Sequence, residues 1–154
     1  MGTVQVIAER VVHAPAPAVY GYVADMREHH HRFLPPAFSD FGVEVGGVGA
    51  GTVTHFKLTA GRRTRAYRMS VAEPEPGRVL TESDTNSSLV TTWTVTPQNG
   101  SAHVRIATAW KGAGGIGGFF ERLFAPRVMR GLYLDELDRL NTYAREQASS
   151  GPGI

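Results

Sequence analysis

The chain has 154 residues, enough for one domain around a single core, and its 42% hydrophobic and 19% charged residues are ordinary for a soluble globular protein. Sixteen basic side chains against fourteen acidic ones leave a formal charge of only +2. With no run of Lys or Arg, this excludes a surface built for nucleic acid. The absence of cysteine excludes disulfides, thiolate chemistry and a zinc–cysteine site, and no apolar run approaches the roughly 18 residues of a membrane span.

The opening "MGTVQVIAER" has no basic segment followed by a long apolar run, and Val6 stands where myristoylation needs Ser or Thr. A cytoplasmic protein without stable membrane insertion is therefore expected. "VQVIAERVVH" alternates and is rich in Val and Ile, which predicts a first strand. In "APAPAVYGYVADMREHHHRFLPP" the period changes. Val19, Tyr20, Val23 and Met26 recur at helical spacing, a proline at position 15 or 17 suits a first turn, and Pro35-Pro36 stops the helical region.

Six short alternating segments follow: "FSDFGVEV", "GTVTHFKLT", "RTRAYRMSVAE", "RVLTESD", "LVTTWTVTP" and "SAHVRIATAW". Their separators, such as "GGVGA", "PEPG" and "PQNG", carry turn chemistry and are too short for parallel crossovers, so antiparallel hairpins are expected. Residues 116 to about 146 read as a long helix interrupted near Pro126. The expected organisation is a single domain over residues 1–147 with a flexible tail at 148–154.

Gly112 to Gly117 spell a literal G-x-G-x-x-G between a strand and a helix. A dinucleotide fingerprint must open a β-α-β unit with an acidic residue near the end of the second strand. Only helix follows here, and Asp135 lies within it. These glycines read as a pliable connection, and no cofactor is expected.

The order of one strand, a helical pair, six strands and a long helix resembles the START-like helix-grip superfamily, SRPBCC, and within it the polyketide cyclase/dehydrase-like proteins. "VVHAPAPAVYGYVAD" is similar to the family's opening strand, turn and first helix. "FLPPAFSDFGVEVGGVGAGTVTHF" is similar to its proline-containing stretch before a glycine turn. "MSVAEPEPGRVL" is similar to its hydrophobic-x-Glu-x-x-Pro turn, and "RLFAPRVMRGLYLDELDRLNTYARE" to its closing helix. The resemblance covers residues 4 to 147 or so. It implies an α+β helix-grip fold, a curved seven-stranded antiparallel sheet (order β-α-α-β6-α) around the C-terminal helix, with an apolar cavity between. Members bind lipids, sterols, hormones or polyketides, and some cyclise or dehydrate a bound polyketide. No universal catalytic motif or cofactor is carried over.

Alternation also gives inward faces independently of the resemblance. Thr54, Phe56 and Leu58 share one; Tyr67, Met69 and Val71 another; Trp93 with Val95 a third; and Val104, Ile106, Thr108 and Trp110 the last. For any one of these, plain core packing is the alternative. As a group they line a cavity that Met and aromatic side chains would make adaptable. On the C-terminal helix, Phe119, Leu123, Tyr133, Leu134, Leu137 and Ala144 fall on one stripe at about 100° per residue, with Arg130 in its middle. Arg130 then either reads a ligand carboxylate or enolate, or forms an ion pair, with Glu82 (in register with Leu80) as a candidate partner. A helix phase altered at Pro126 would instead turn it outward. The ligand-binding set expected is Phe56, Leu58, Tyr67, Met69, Glu82, Trp93, Ile106, Trp110, Leu123, Arg130 and Leu134.

His29, His30 and His31 point about 100° apart on a helix and cannot converge on one metal. Asp25 and His29 supply only two ligands, so no metal site is expected, and the three histidines read as a solvated helix end beside the cavity mouth. His55 and His103 alternate away from the inward sets. No G-x-S-x-G elbow occurs. The function expected is binding of a lipid, polyketide or aromatic compound as carrier or sensor. The alternative is a cyclase or dehydratase acting through general acid–base groups such as Arg130, Tyr67 and Glu82. A homodimer through an exposed sheet face stays open.

Overall fold

Strand alternation in the sequence becomes one continuous antiparallel sheet in the computed structural model, which describes residues 3–111 and 126–149. Strand β1 is Thr3–Val12, helix α1 Ala16–Ala24, and a single 3-10 turn spans His30–Phe33. Then come β2 (Phe38–Val45), β3 (Val53–Ala60), β4 (Arg63–Glu75), β5 (Val79–Asp84), β6 (Val90–Gln98) and β7 (Ser101–Lys111), and helix α2 (Pro126–Ser149). The sheet order is β1-β7-β6-β5-β4-β3-β2. Sequential hairpins build β2 to β7, and β1 closes on β7, with Val6 opposite Thr108 and Ala8 opposite Ile106. The curved sheet and long C-terminal helix form the expected helix-grip architecture. Every pairing among the described residues is antiparallel, the opposite of a dinucleotide-binding unit. The G-x-G-x-x-G itself, Gly112 to Gly117, lies outside the described residues.

Helix α1 starts with Pro15 at its N-cap and Pro17 in its first turn, where a missing N–H costs nothing. It buries Val19, Tyr20 and Val23. Met26 is buried too, though it lies beyond the helix end. There the carboxylate of Asp25 accepts from the backbone N–H groups of Arg27 and Glu28, at 3.1 and 2.9 Å. Asp25 is thus a turn cap, and this accounts for it without a metal.

The Glu of the hydrophobic-x-Glu-x-x-Pro pattern is a latch. Glu73 on β4 accepts from the Tyr20 hydroxyl at 2.6 Å and from the Ala50 backbone N–H at 2.8 Å. One carboxylate thereby ties α1, the glycine turn before β3 and β4 together. Gly49 makes room for it: its φ is +69°, and a Cβ there would sit 2.3 Å from the Glu73 Oε1.

Every residue of the four inward sets is buried, with Trp93, Ile106 and Trp110 almost fully enclosed. Helix α2 lies along β1 and buries Met129, Tyr133, Leu137, Leu140 and Ala144. It also buries Glu136, 3% exposed.

Candidate functional site

Between the inner face of the sheet and α2 lies a cavity lined from every side. Strands β3 to β7 contribute Phe56, Leu58, Tyr67, Met69, Glu82, Trp93 and Ile106. The 3-10 turn and β2 add His30, Leu34, Phe38 and Phe41, the β5–β6 region adds Leu89 and Thr91, and α2 adds Met129, Tyr133 and Glu136. The space between its lining atoms is about 550 Å³ with the open solvent at its mouth included. Only about 50 Å³ of it is wide enough for the centre of a water molecule, so it is a narrow slot. Its walls are mostly aromatic and aliphatic side chains. Phe56 stacks on Tyr67 with centroids 5.3 Å apart, and Phe38 meets Phe56 edge-on at 5.3 Å.

Leu34, Phe38 and Phe41 also line an open depression on the outside. They form the partition between it and the slot. Phe41 lies within a break in the β2–β3 register, between Ser39 and Gly42, where Asp40 takes a positive φ of 52°. Such a bulge re-aims the side chain beside it.

The polar groups gather on one side of this greasy slot. His30 is only 3% exposed. Its Nδ1 lies 2.6 Å from the Val23 carbonyl, which can only accept, so that nitrogen carries a proton. Its Nε2 lies 3.5 Å from Glu136 Oε2. The ring meets Trp93 edge-on at 5.3 Å. Burial alone would lower the affinity of His30 for a proton, but the Glu136 hydrogen bond and the charges of Glu82 and Glu136 outweigh it, leaving its pKa raised. Glu136 is pushed up by burial, against the pull of His30 and with Glu82 adding to the rise. Glu82 accepts from the Trp93 indole N–H at 2.8 Å. On α2, the buried Tyr133 hydroxyl is hydrogen-bonded to Thr108, which in turn bonds Thr91 at 2.7 Å. Burial pushes the Tyr133 phenol above its ordinary range, so it stays a neutral hydroxyl. Tyr67 is pushed up by burial to about 12.

Of the expected ligand-binding set, Phe56, Leu58, Tyr67, Met69, Glu82, Trp93 and Ile106 come together on this cavity. Trp110 does not; it is buried in the core away from the slot. Leu123 lies outside the described residues. Arg130 and Leu134 are corrections. Arg130 is exposed, with its guanidinium donating to the Ile7 carbonyl at 3.3 Å, and Leu134 is 38% exposed. The buried stripe of α2 runs through positions 129, 133, 136, 137, 140 and 144, about 60° around the helix from the stripe drawn through Phe119 and Leu123. A single helical phase carried across Pro126 does not describe the stripe that follows it. The histidine triplet is corrected as well. His29 and His31 sit towards the surface, and His29 Nδ1 is 2.5 Å from the Tyr143 hydroxyl, but His30 is the buried centre of the polar cluster. His55 and His103 pair on the outside with Glu44 and Glu9.

The sequence over residues 3–145 matches the family described as polyketide cyclase / dehydrase and lipid transport. The chain belongs to this family. No curated protein matches it in sequence. Among solved structures, the family member is similar to KanY protein, whose solution structure shares 34% identity. That match covers 94% of this chain and 99% of the other, with a TM-score of 0.83. The fold recurs in the Zhui aromatase/cyclase of a Streptomyces species, at 16% identity, 99% and 100% coverage and a TM-score of 0.69. It recurs too in norcoclaurine synthase from Thalictrum flavum, solved with dopamine and hydroxybenzaldehyde, at 17% identity, 94% and 88% coverage and a TM-score of 0.71. Among the described residues no helix is long and apolar enough to cross a membrane.

Proposed function

We propose that this member of the family binds a hydrophobic small molecule in the slot between sheet and α2, as a carrier or sensor. The single observation that supports it is a tight apolar pocket, open at its mouth, walled by Phe38, Phe56, Tyr67, Met69 and Trp93. Apolar walls with a few convergent polar groups are the usual make-up of a small-molecule site. Native mass spectrometry of protein purified without denaturant is expected to reveal a bound organic molecule. Met69→Trp, which projects an indole into the void, is expected to weaken binding of the neutral probe N-phenyl-1-naphthylamine by about tenfold or more, because the lost site removes apolar burial. Unchanged binding in a folded Met69→Trp protein refutes the proposal.

One observation favours a second reading, cyclase or dehydratase chemistry. Three ionisable side chains from three different elements, His30, Glu82 and Glu136, meet in the apolar slot, an arrangement typical of tuned acid–base groups. In that reading Glu82 accepts the proton of a methylene flanked by two ketones, and the Tyr133 hydroxyl donates to the oxygen that gains charge. Glu82→Gln is then expected to slow turnover of an aromatic polyketide precursor about 100-fold or more, the usual loss for a general base. Equal rates with Gln exclude Glu82 as that base.

A further inference from the structure

We infer that the slot selects a flat aromatic molecule whose polar edge donates a hydrogen bond to Glu82, and that it rejects carboxylates. The inference rests on the reading that the cavity binds a hydrophobic molecule. Glu82 lies on the inner face of β5 and spends one carboxylate oxygen on the Trp93 indole N–H at 2.8 Å. No other hydrogen bond reaches it among the described residues. A carboxylate offers about four acceptor sites and no donor, so what it can still engage is a hydroxyl or another N–H.

The charge of the slot points the same way. Among the described residues its lining holds Glu82, Glu136 and His30 but neither Lys nor Arg. His30 has both ring nitrogens engaged, one by the Val23 carbonyl and one facing Glu136. Arg65 shares the inward face of β4 with Tyr67 but is not part of the lining; it lies 4.2 Å from the centroid of the Tyr67 ring and is committed to Asp84 at 3.1 Å. Arg130 is on the outside. An entering anion would be desolvated beside two acidic side chains with no uncommitted cation to meet it. A ligand with a phenolic or enolic hydroxyl meets an acceptor instead. Flatness follows from the narrowness of the slot and from the stacked Phe56–Tyr67 wall.

Three probes of one shape test this: naphthalene, 2-naphthol and 2-naphthoate, titrated calorimetrically against the full chain. 2-Naphthol is expected to bind at least about tenfold tighter than naphthalene, the usual gain for a hydrogen bond to a charged acceptor, and 2-naphthoate weaker than naphthalene. In Glu82→Leu, 2-naphthol should fall to the affinity of naphthalene, whose own binding shows that the variant cavity is folded. If that variant does not fold, Glu82→Gln, with a neutral acceptor, is expected to narrow the ratio and to relax the rejection of 2-naphthoate. A wild-type protein that prefers 2-naphthoate, or a ratio of 2-naphthol to naphthalene that Glu82 substitution leaves unchanged, overturns the inference alone. Failure of all three probes to bind overturns the cavity reading beneath it.

Discussion

His30→Ala is expected to destabilise the protein by about 3–5 kcal/mol, the cost of leaving one member of a buried ion pair without its partner. For a chain of this size that corresponds to a fall in melting temperature of about 10 °C. Glu136 is 3% exposed and faces His30 Nε2 at 3.5 Å. Removing the imidazole strands this carboxylate in an apolar slot that already contains Glu82, and it deprives the Val23 carbonyl of its donor. The substitution also opens space against Phe33 and Trp93, both packed on the ring. The double variant His30→Phe, Glu136→Leu removes both charges and refills the volume, so it should be close to wild type in stability or above it. Urea unfolding followed by tryptophan fluorescence measures both. If the double variant loses as much as His30→Ala, the pair is not the unit that stability depends on.

How far the sequence revealed this arrangement depends on the element. The strands were legible because alternation and turn residues act over a few positions, and the inward faces of β3, β4, β6 and β7 follow directly from period two. Even Glu82 was readable, since it shares a face with the fully buried Leu80. The helix face was less legible because Pro126 interrupts the periodic pattern of the sequence. Within the uninterrupted run after Pro126, the spacing of Met129, Tyr133, Leu137, Leu140 and Ala144 defines the buried stripe, and Glu136 falls inside it. A phase anchored on residues before Pro126 puts Arg130 in that place instead. His30 left a weaker signal. Three neighbouring histidines project in different directions, and one of them had to face the core, but only the end of α1 at Asp25 and the 3-10 geometry decide which. The partition of Leu34, Phe38 and Phe41 depends on the bulge near Asp40, and neither alternation nor turn composition announces it.

Stability is also expected to decline as the pH rises from neutrality, with the same pair as the cause. The folded pKa of His30 is raised above its ordinary 6.5, so the native state holds a proton that the unfolded chain has released. The stability this contributes is fully present below 6.5 and is lost as pH climbs through the folded value. Glu136 has the same sign: its folded pKa lies above the ordinary 4.5, so the native state again binds more protons, and stability drops as pH rises past 4.5. The groups facing the pair are Glu82 from β5, Asp135 from α2 and the Val23 carbonyl from α1, and each of them favours keeping the proton. At the acid end the exposed Glu44 works in the opposite direction. The Arg68 hydrogen bond lowers its pKa, and what it contributes is lost as pH falls through that lowered value. Urea midpoints measured from pH 6.5 upward should therefore fall for wild type and stay level for His30→Phe, Glu136→Leu. A parallel decline in both proteins would trace the effect to groups other than the buried pair, and a wild-type midpoint that rises over this range would contradict a proton held on His30.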